Sequence, residues 1–327
     1  MSDQPKQVSR DDDALHAGEL AAPRRWQQLD PLLPAMLPAD PAGHQLTRPG
    51  GCGSCRHWAG VPDSLDLTWG AARRFEVTPR IDGPDVAASL DQLVQSWREH
   101  VNAQPGSDDP DSAAVITWPS RDTGGVRTLL RRGFAPLAVI AARRHGGVAA
   151  AGLQPPGGNE AQGDGLSIRS ADAGDLDALV RLGLEVIRFD AQVSAVTERP
   201  GTAKALRGEL SGLLAAPQPW IWLAERDGTA IGMLAAEPPA AAGWIAPLVS
   251  TAPVAYLLLM GVAAGQRGSG VGAALTAAFH RAADTDGVGV TLLHYAQVNP
   301  LSAPFWSQQG YRPLWTVWEA APARAMR

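Results

Sequence analysis

The chain has 327 residues, room for two domains of ordinary size, and 45% of them are hydrophobic, enough to fill packed cores. A net charge of −5 with no basic block argues against nucleic acid or an anionic membrane surface as partner. No apolar run approaches the roughly 18 residues of a membrane span and no charged-then-apolar leader opens the chain, so a cytoplasmic protein is expected.

The polar first 15 residues, with an acidic run at Asp11 to Asp13, read as a disordered tail. Residues 16 to 60 are rich in proline and glycine, with one short helix predicted near Glu19 to Leu29. They also hold the only two cysteines, Cys52 and Cys55. With His57 as the one nearby partner, this Cys-x-x-Cys lacks the four ligands of a structural zinc site and the flanking strand and helix of a redox site. It reads as a loop with two free thiols, and no metal is expected. Leu65 to Trp69 alternates like a strand. Ala72 to Thr78 reads as another, stopped by Pro79. Asp85 to His100 has apolar residues at helical spacing (Val86, Leu90, Leu93, Val94, Trp97). Ala113 to Trp118 predicts a strand, Gly125 to Arg132 a short helix stopped by Gly133, and Phe134 to Ala142 a strand. Residues 146 to 165 break every pattern and read as a linker.

The second half restarts with a strand at Leu166 to Arg169 and helices at Asp172 to Phe189 and Thr202 to Ala215. Trp220 to Glu225 and Thr229 to Ala236 flank Arg226-Asp-Gly228, a hairpin signal. Val254 to Val262 is an apolar strand and 271–284 a helix. Strands follow at Val288 to Tyr295 and Tyr311 to Ala320, around a short helix at Ser302 to Gln309. Strands with crossing helices plus an antiparallel hairpin predict an α/β fold, a central mixed sheet flanked by helices.

Between the apolar strand and its helix lies Ala263-Ala-Gly-Gln-Arg267-Gly268-Ser269-Gly270-Val271-Gly272. Alternate glycines let the backbone approach a ligand, and the helix start points unpaired N–H groups and a positive dipole end at it. A phosphate or pyrophosphate suits such a turn, with Arg267 beside it. The spacing is neither the dinucleotide fingerprint nor the phosphate loop of NTPases, which needs Gly-Lys.

The stretch resembles the central motif of the GNAT (GCN5-related N-acetyltransferase) superfamily, Val-x-Pro-x-x-Arg-Gly-x-Gly-Ile-Gly followed by Ala-Leu. Val262, Arg267, Gly268, Gly270, Val271, Gly272 and Leu275 fall in register; Ala264 replaces the proline and Gln266 an aromatic. A second stretch, Val298-Asn-Pro-Leu-Ser-Ala-Pro-Phe-Trp-Ser-Gln-Gln-Gly-Tyr311, resembles the family's Val-Asn, Phe-Tyr and Gly-Phe pattern. The resemblance implies acyl transfer from acetyl-coenzyme A, the cosubstrate, to an amine. It implies cofactor contacts at Met260, Val262, Arg267, Gly268, Ser269, Gly270, Val271, Gly272, Asn299, Phe305 and Trp306, and a backbone N–H near Val262 for the thioester oxygen. Trp306 stands where the family keeps a proton-donating tyrosine, and an indole cannot release a proton near neutral pH. Ser302, Tyr295 and His294 are the candidates for proton transfer, with Glu237 as a base acting through water. Phe189 and Asp190, at the loop that covers the acceptor in this family, are the candidate substrate contacts.

The motif occurs twice in outline, and the outline is gapless. Val77 to Ala87 lies over Val262 to Gly272, and Thr117 to Pro136 over His294 to Pro313, matching Gly133 with Gly310 and Phe134 with Tyr311. In the first copy Asp82 replaces Arg267, Asp85 replaces Gly270 and Ala87 replaces Gly272, which puts carboxylates where a pyrophosphate would lie. The expected organisation is a tail at 1–15, a degenerate GNAT-like domain at 16–145, a linker at 146–165 and a catalytic GNAT domain at 166–327. The tandem would be a monomeric pseudo-dimer or a homodimer. Its expected partner is a small-molecule amine; a non-catalytic acyl-coenzyme A sensor and a protein or peptide N-acetyltransferase are the alternatives.

Overall fold

A computed structural model describes residues 25–146, 165–194 and 196–327. The tail and nearly all of the expected linker lie outside the described residues. Of the predicted first helix, 25–29 is helical and the rest lies outside them.

The N-terminal half contributes β1 (His44–Arg48), β2 (Gly51–Ala59), β3 (Arg73–Ile81), α1 (Val86–Asn102), β4 (Ser112–Pro119), α2 (Thr123–Arg131) and β5 (Ala135–Arg144). The C-terminal half contributes β6 (Leu166–Ser170), α3 (Leu176–Asp190), α4 (Thr202–Leu214), β7 (Ile221–Arg226), β8 (Thr229–Glu237), β9 (Val254–Val262), α5 (Val271–Thr285), β10 (Val290–Ala296), α6 (Ser302–Gln308) and β11 (Arg312–Ala320). All eleven strands form one mixed sheet in the order β1-β2-β3-β4-β11-β5-β10-β9-β8-β7-β6.

Three predictions in the N-terminal half are corrected. Cys52 and Cys55 are free thiols, but they sit on strand β2 of a hairpin, not in a loop. The turn needs Gly50 at φ +78°, and Gly53 lets β2 lie flat where a Cβ would meet Val77 at 2.9 Å. Burial pushes the Cys55 thiol up to about 12, so it stays protonated. Leu65–Thr68 is a 3-10 helix rather than a strand. Docking onto the other half decides its shape: the Thr68 and Thr202 hydroxyls share a hydrogen bond of 3.0 Å, and Arg199 donates to the Leu67 carbonyl at 2.7 Å. Pro79 does not end β3. Pairing with β4 stops at Val77–Ile116, so the missing N–H falls on a free strand edge.

The strand order carries an exchange. β5 inserts between β10 and β11, and β11 inserts between β4 and β5, so the last strand of each half completes the sheet of the other. The registers repeat. His294 of β10 faces Ile140 of β5, and their aligned counterparts, Thr117 of β4 and Val317 of β11, face each other. Tyr295–Val139 and Trp118–Thr316 repeat the same relation one residue on. The turns that launch the exchanged strands match as well: Gly133 and Gly310 have φ +87° and +84°. The seam is apolar. Trp315 of β11 is fully buried, sits edge-on to Trp26 at 5.1 Å and donates its indole N–H to the Leu248 carbonyl at 2.7 Å. Truncating so large a buried side chain costs about 3–5 kcal/mol, so the seam stabilises the whole molecule.

Helix starts follow from local chemistry. Asp172 and Asp175 form a capping box ahead of α3, and Asp85 caps α1 by accepting the Ala88 N–H at 3.0 Å. α5 starts on Gly270 in the left-handed region, with no side-chain cap.

Candidate active site

β9 and β10 are parallel neighbours only from Val254–Val290 to Leu257–Leu293. Beyond that the two strands diverge. Leu259 to Val262 pair with β8 on one side, and from Leu258 onward β9 has no partner strand on the other among the described residues. The β8 register slips between Ala235–Leu259 and Ala236–Leu257, so Leu258 is an extra, bulged residue at the point of divergence. The wedge therefore presents backbone N–H and C=O groups to whatever enters it. A bulge beside an apolar run has no sequence signal. The donors it frees begin at Leu258, four residues before the expected Val262.

The wedge opens into a cavity of about 940 Å³. At one end lies the glycine turn. Gly268 (φ +80°) and Gly270 (φ +84°) take conformations that favour glycine, and a Cβ at either would meet nothing within 4 Å. That open space faces the uncapped start of α5. The first helix bond returning to the turn is Ala274 N–H to the Gly270 carbonyl, so the amides before Ala274 are available to an anion. Gly272 serves packing: a Cβ there would meet the Phe305 ring at 3.2 Å. Arg267 is exposed, lies 4.6 Å over the Phe189 ring and donates to the Val262 carbonyl at 3.3 Å. The turn thus fits the pyrophosphate of coenzyme A in space, donors and charge. Met260, Val262, Arg267, Gly268, Gly270 and Gly272 line the cavity; Asn299, Phe305 and Trp306 line it from the loop and helix after β10. Two candidates do not. The Val271 side chain is buried in the core, and Ser269 turns its hydroxyl to the Gln266 carbonyl at 2.7 Å.

Phe189 and Asp190 sit at this cofactor end. Asp190 accepts a hydrogen bond from Asn299 Nδ2 at 2.7 Å. Burial pushes its carboxyl pKa up, against the pull of that bond and of the Arg267 charge. It ties the end of α3 to the loop that carries Asn299, whose own Oδ1 accepts the Leu301 N–H at 2.9 Å.

The proton-transfer candidates divide between the sheet faces, because His294 and Tyr295 are successive residues of β10. Tyr295 packs with Met260, Phe305 and Trp306 on the α5–α6 face. Burial raises its pKa, which keeps the phenol protonated. His294 lies on the opposite face, where its Nδ1 is 3.0 Å from the Tyr256 hydroxyl. Its ring opens onto the cavity, and the surrounding protein lowers its pKa to about 4. The imidazole is therefore neutral at pH 7. Trp244 meets Tyr256 edge-on at 4.9 Å and donates to Glu237 Oε2 at 2.7 Å. Glu237 holds Trp244 and is not among the cavity-lining residues, while Ser302 is. Trp306 is a buried wall between Phe305 and Tyr311. Sequence reading missed Tyr256. Its signal was modest: it is the one side chain with a polar group at its tip among Val254 to Leu259.

A strand divergence that exposes backbone donors, a helix start open to an anion and flanking groups suited to proton transfer are the parts that acyl transfer from a thioester needs. Residues 193–311 match the acetyltransferase (GNAT) family model. Among solved structures, the chain is similar to a GCN5-related N-acetyltransferase from Sphaerobacter thermophilus, with TM-score 0.53, 15% identity, and coverage of 84% of this chain and 77% of that one. It also aligns with a GCN5-related N-acetyltransferase from Kribbella flavida, with TM-score 0.46, 15% identity, and coverage of 91% and 94%. No curated protein sequence matches the chain. Among the described residues no helix is long and apolar enough to cross a membrane.

Proposed function

We propose that the protein is an N-acetyltransferase that moves the acetyl group of acetyl-coenzyme A to a small-molecule amine at a single site in its C-terminal half. On this reading the N-terminal half, 16–145, is a degenerate copy that has given up the cofactor and walls the acceptor side of the cavity. The observation that carries it is the wedge between β9 and β10, with an open phosphate turn at one end and His294 and Tyr295 on opposite faces.

The arrangement matches the chemistry step by step. Acetyl-coenzyme A supplies the acetyl thioester. As an N–C bond forms and the C–S bond breaks, the acyl oxygen gains charge, and free amides of β9 from Leu258 onward are positioned to donate to it. His294, neutral at pH 7, takes the proton released by the amine. Tyr256 fixes the imidazole orientation through Nδ1. Tyr295, on the cofactor face, gives a proton to the departing thiolate, the task Trp306 cannot perform. Ser302 is the other hydroxyl at that end of the cavity.

A deep cavity walled by residues of both halves suits a small molecule better than a folded protein surface. Asp66, Trp69, Glu76 and Thr117 of the N-terminal half stand opposite Trp244 and Tyr256 of the C-terminal half. The test is coenzyme A release across an amine panel with the wild type and His294→Gln. Turnover that falls by about 10²- to 10⁴-fold in the variant supports the base assignment. Tight cofactor binding with no turnover on any amine would favour a sensor instead.

A further inference from the structure

The far wall of the cavity carries a charge that the acetyl transfer does not use. Arg74 of β3 lines it together with Glu76, Asp66 and Trp69. Its guanidinium lies 3.7 Å over the Trp58 ring, which holds the fork in one orientation. Among the described residues it makes no hydrogen bond. Nε is buried without a partner, and the nearest carboxylate, Glu76 Oε1, is 4.0 Å away. Glu76 is already committed to Arg56, whose Nη2 and Nε reach its Oε2 at 2.5 and 3.2 Å. Asp66 adds an attractive charge and Arg56 a repulsive one, so the local balance is close to neutral and the fork itself is unclaimed. By contrast, Arg132, Arg169 and Arg199 each make at least two hydrogen bonds to carboxylates.

Strand β3 is four steps along the sheet from β10, in the order β3-β4-β11-β5-β10. At the usual strand spacing that is about 19 Å across the sheet; the registers carry His294 to Pro119 of β4 and Arg74 to Ala113, about 20 Å further along the strands, so the two ends lie roughly 25–30 Å apart. The floor between is largely apolar: Val115, Val317, Ala138 and Ile140 line it with Thr117 as its one hydroxyl, and Leu37 and Leu248 lie beside them.

We propose that Arg74 is the anion subsite for the acceptor, which is an elongated molecule with an amine at one end, an apolar middle and a carboxylate at the other. This rests on the acetyltransferase reading above and names its substrate class. A carboxylate is favoured over a phosphate because Glu76 and Asp66 would repel a dianion more strongly than a single charge. The sequence could not show the subsite, since Arg74 reaches the chemistry only through a sheet shared by both halves.

The test uses ω-amino carboxylates and n-alkylamines of matched, increasing chain length, with acetyl-coenzyme A and the full chain. The wild type is expected to prefer the amino acid by about tenfold or more in kcat/KM at the length that spans the cavity, as one charged hydrogen-bonded pair would give. Arg74→Gln should abolish that ratio. Arg74→Lys should restore it in part, through charge without the fork, and Glu76→Gln should raise it. A ratio near one in the wild type, or one that Arg74→Gln leaves unchanged, would overturn the proposal. Calorimetric titration with the same compounds separates the two readings. Binding that depends on both Arg74 and the carboxylate, without turnover, upholds the subsite and removes the acetyltransferase reading. Binding that ignores Arg74 removes the subsite.

Discussion

The two glycine-bearing turns, 267–272 and 82–87, stand at corresponding places and differ in what they do with a helix N-terminus. In the second half, Gly270 leaves the start of α5 uncapped, and the space beside Gly268 and Gly270 is open. In the first half the same position is closed three ways. Asp85 puts its own carboxylate on the Ala88 N–H. The amides of Asp82 and Gly83 are taken by the Gly50 carbonyl at 3.1 and 2.9 Å. Pro84 has no N–H to offer. A Cβ on Gly83 would lie 2.4 Å from Ser89 Oγ, so no room is left either. A helix start that satisfies itself gains stability and loses a ligand. One left unsatisfied keeps the ligand at a cost in stability. The difference teaches that a capping carboxylate, a neighbouring carbonyl and a proline together close a helix start that alternate glycines leave open.

The comparison can be broken, and the largest effect is expected where it is sharpest. Gly270→Asp should remove coenzyme A binding, a loss of at least about 100-fold, because a carboxylate and a side chain then occupy the anion position. The left-handed backbone at 270 adds strain of about 1–2 kcal/mol, read as a lower melting temperature. Titration calorimetry checks the first and thermal unfolding the second; unchanged affinity would refute the turn assignment. Next in size is the proton donor: Tyr295→Phe should lower kcat by about 10- to 100-fold with little change in cofactor affinity, and Ser302→Ala by less. Full activity in Tyr295→Phe would discard it as the acid. The pH profile sharpens the role of His294. Its pKa is depressed to about 4 and the base works when neutral, so kcat should stay flat as pH falls from about 8 to 5 and drop only on approaching 4. A limb near pH 6.5 would mean a histidine in ordinary solvent. The smallest effect belongs to the closed turn. Asp85→Ala should cost about 0.5–2 kcal/mol of stability through the lost cap and leave coenzyme A affinity unchanged.

How much of this was legible in the sequence depended on whether the deciding contacts were local. The β9–turn–α5 unit could be read almost to the residue, because an apolar run, glycines that need positive φ and a helix pattern follow one another directly. Asp85 was legible as a replacement, and its capping role followed from its place one residue before α1. The β1–β2 hairpin was not legible, since Gly51, Gly53 and two cysteines weaken any strand pattern and the pairing with β3 supplies what propensity lacks. Leu65–Thr68 alternated like a strand and became a 3-10 turn because α4 packs against it. The repeat predicted two similar units, while the exchange of β5 and β11 between them lay beyond sequence reading, since either strand could pair with either half. The same limit hid Arg74 and the Tyr256–His294 pair, each of which depends on a neighbour from another strand. The contact between Glu237, one of the candidate bases, and Trp244 at 2.7 Å had no signal in the sequence either.

The claim that one working turn and one closed turn divide the molecule is tested most directly by the stoichiometry of coenzyme A binding to the full chain. Calorimetry should give one site per chain, lost in Gly270→Asp and retained in Asp85→Ala. Two sites per chain, or one site that survives Gly270→Asp, would contradict it.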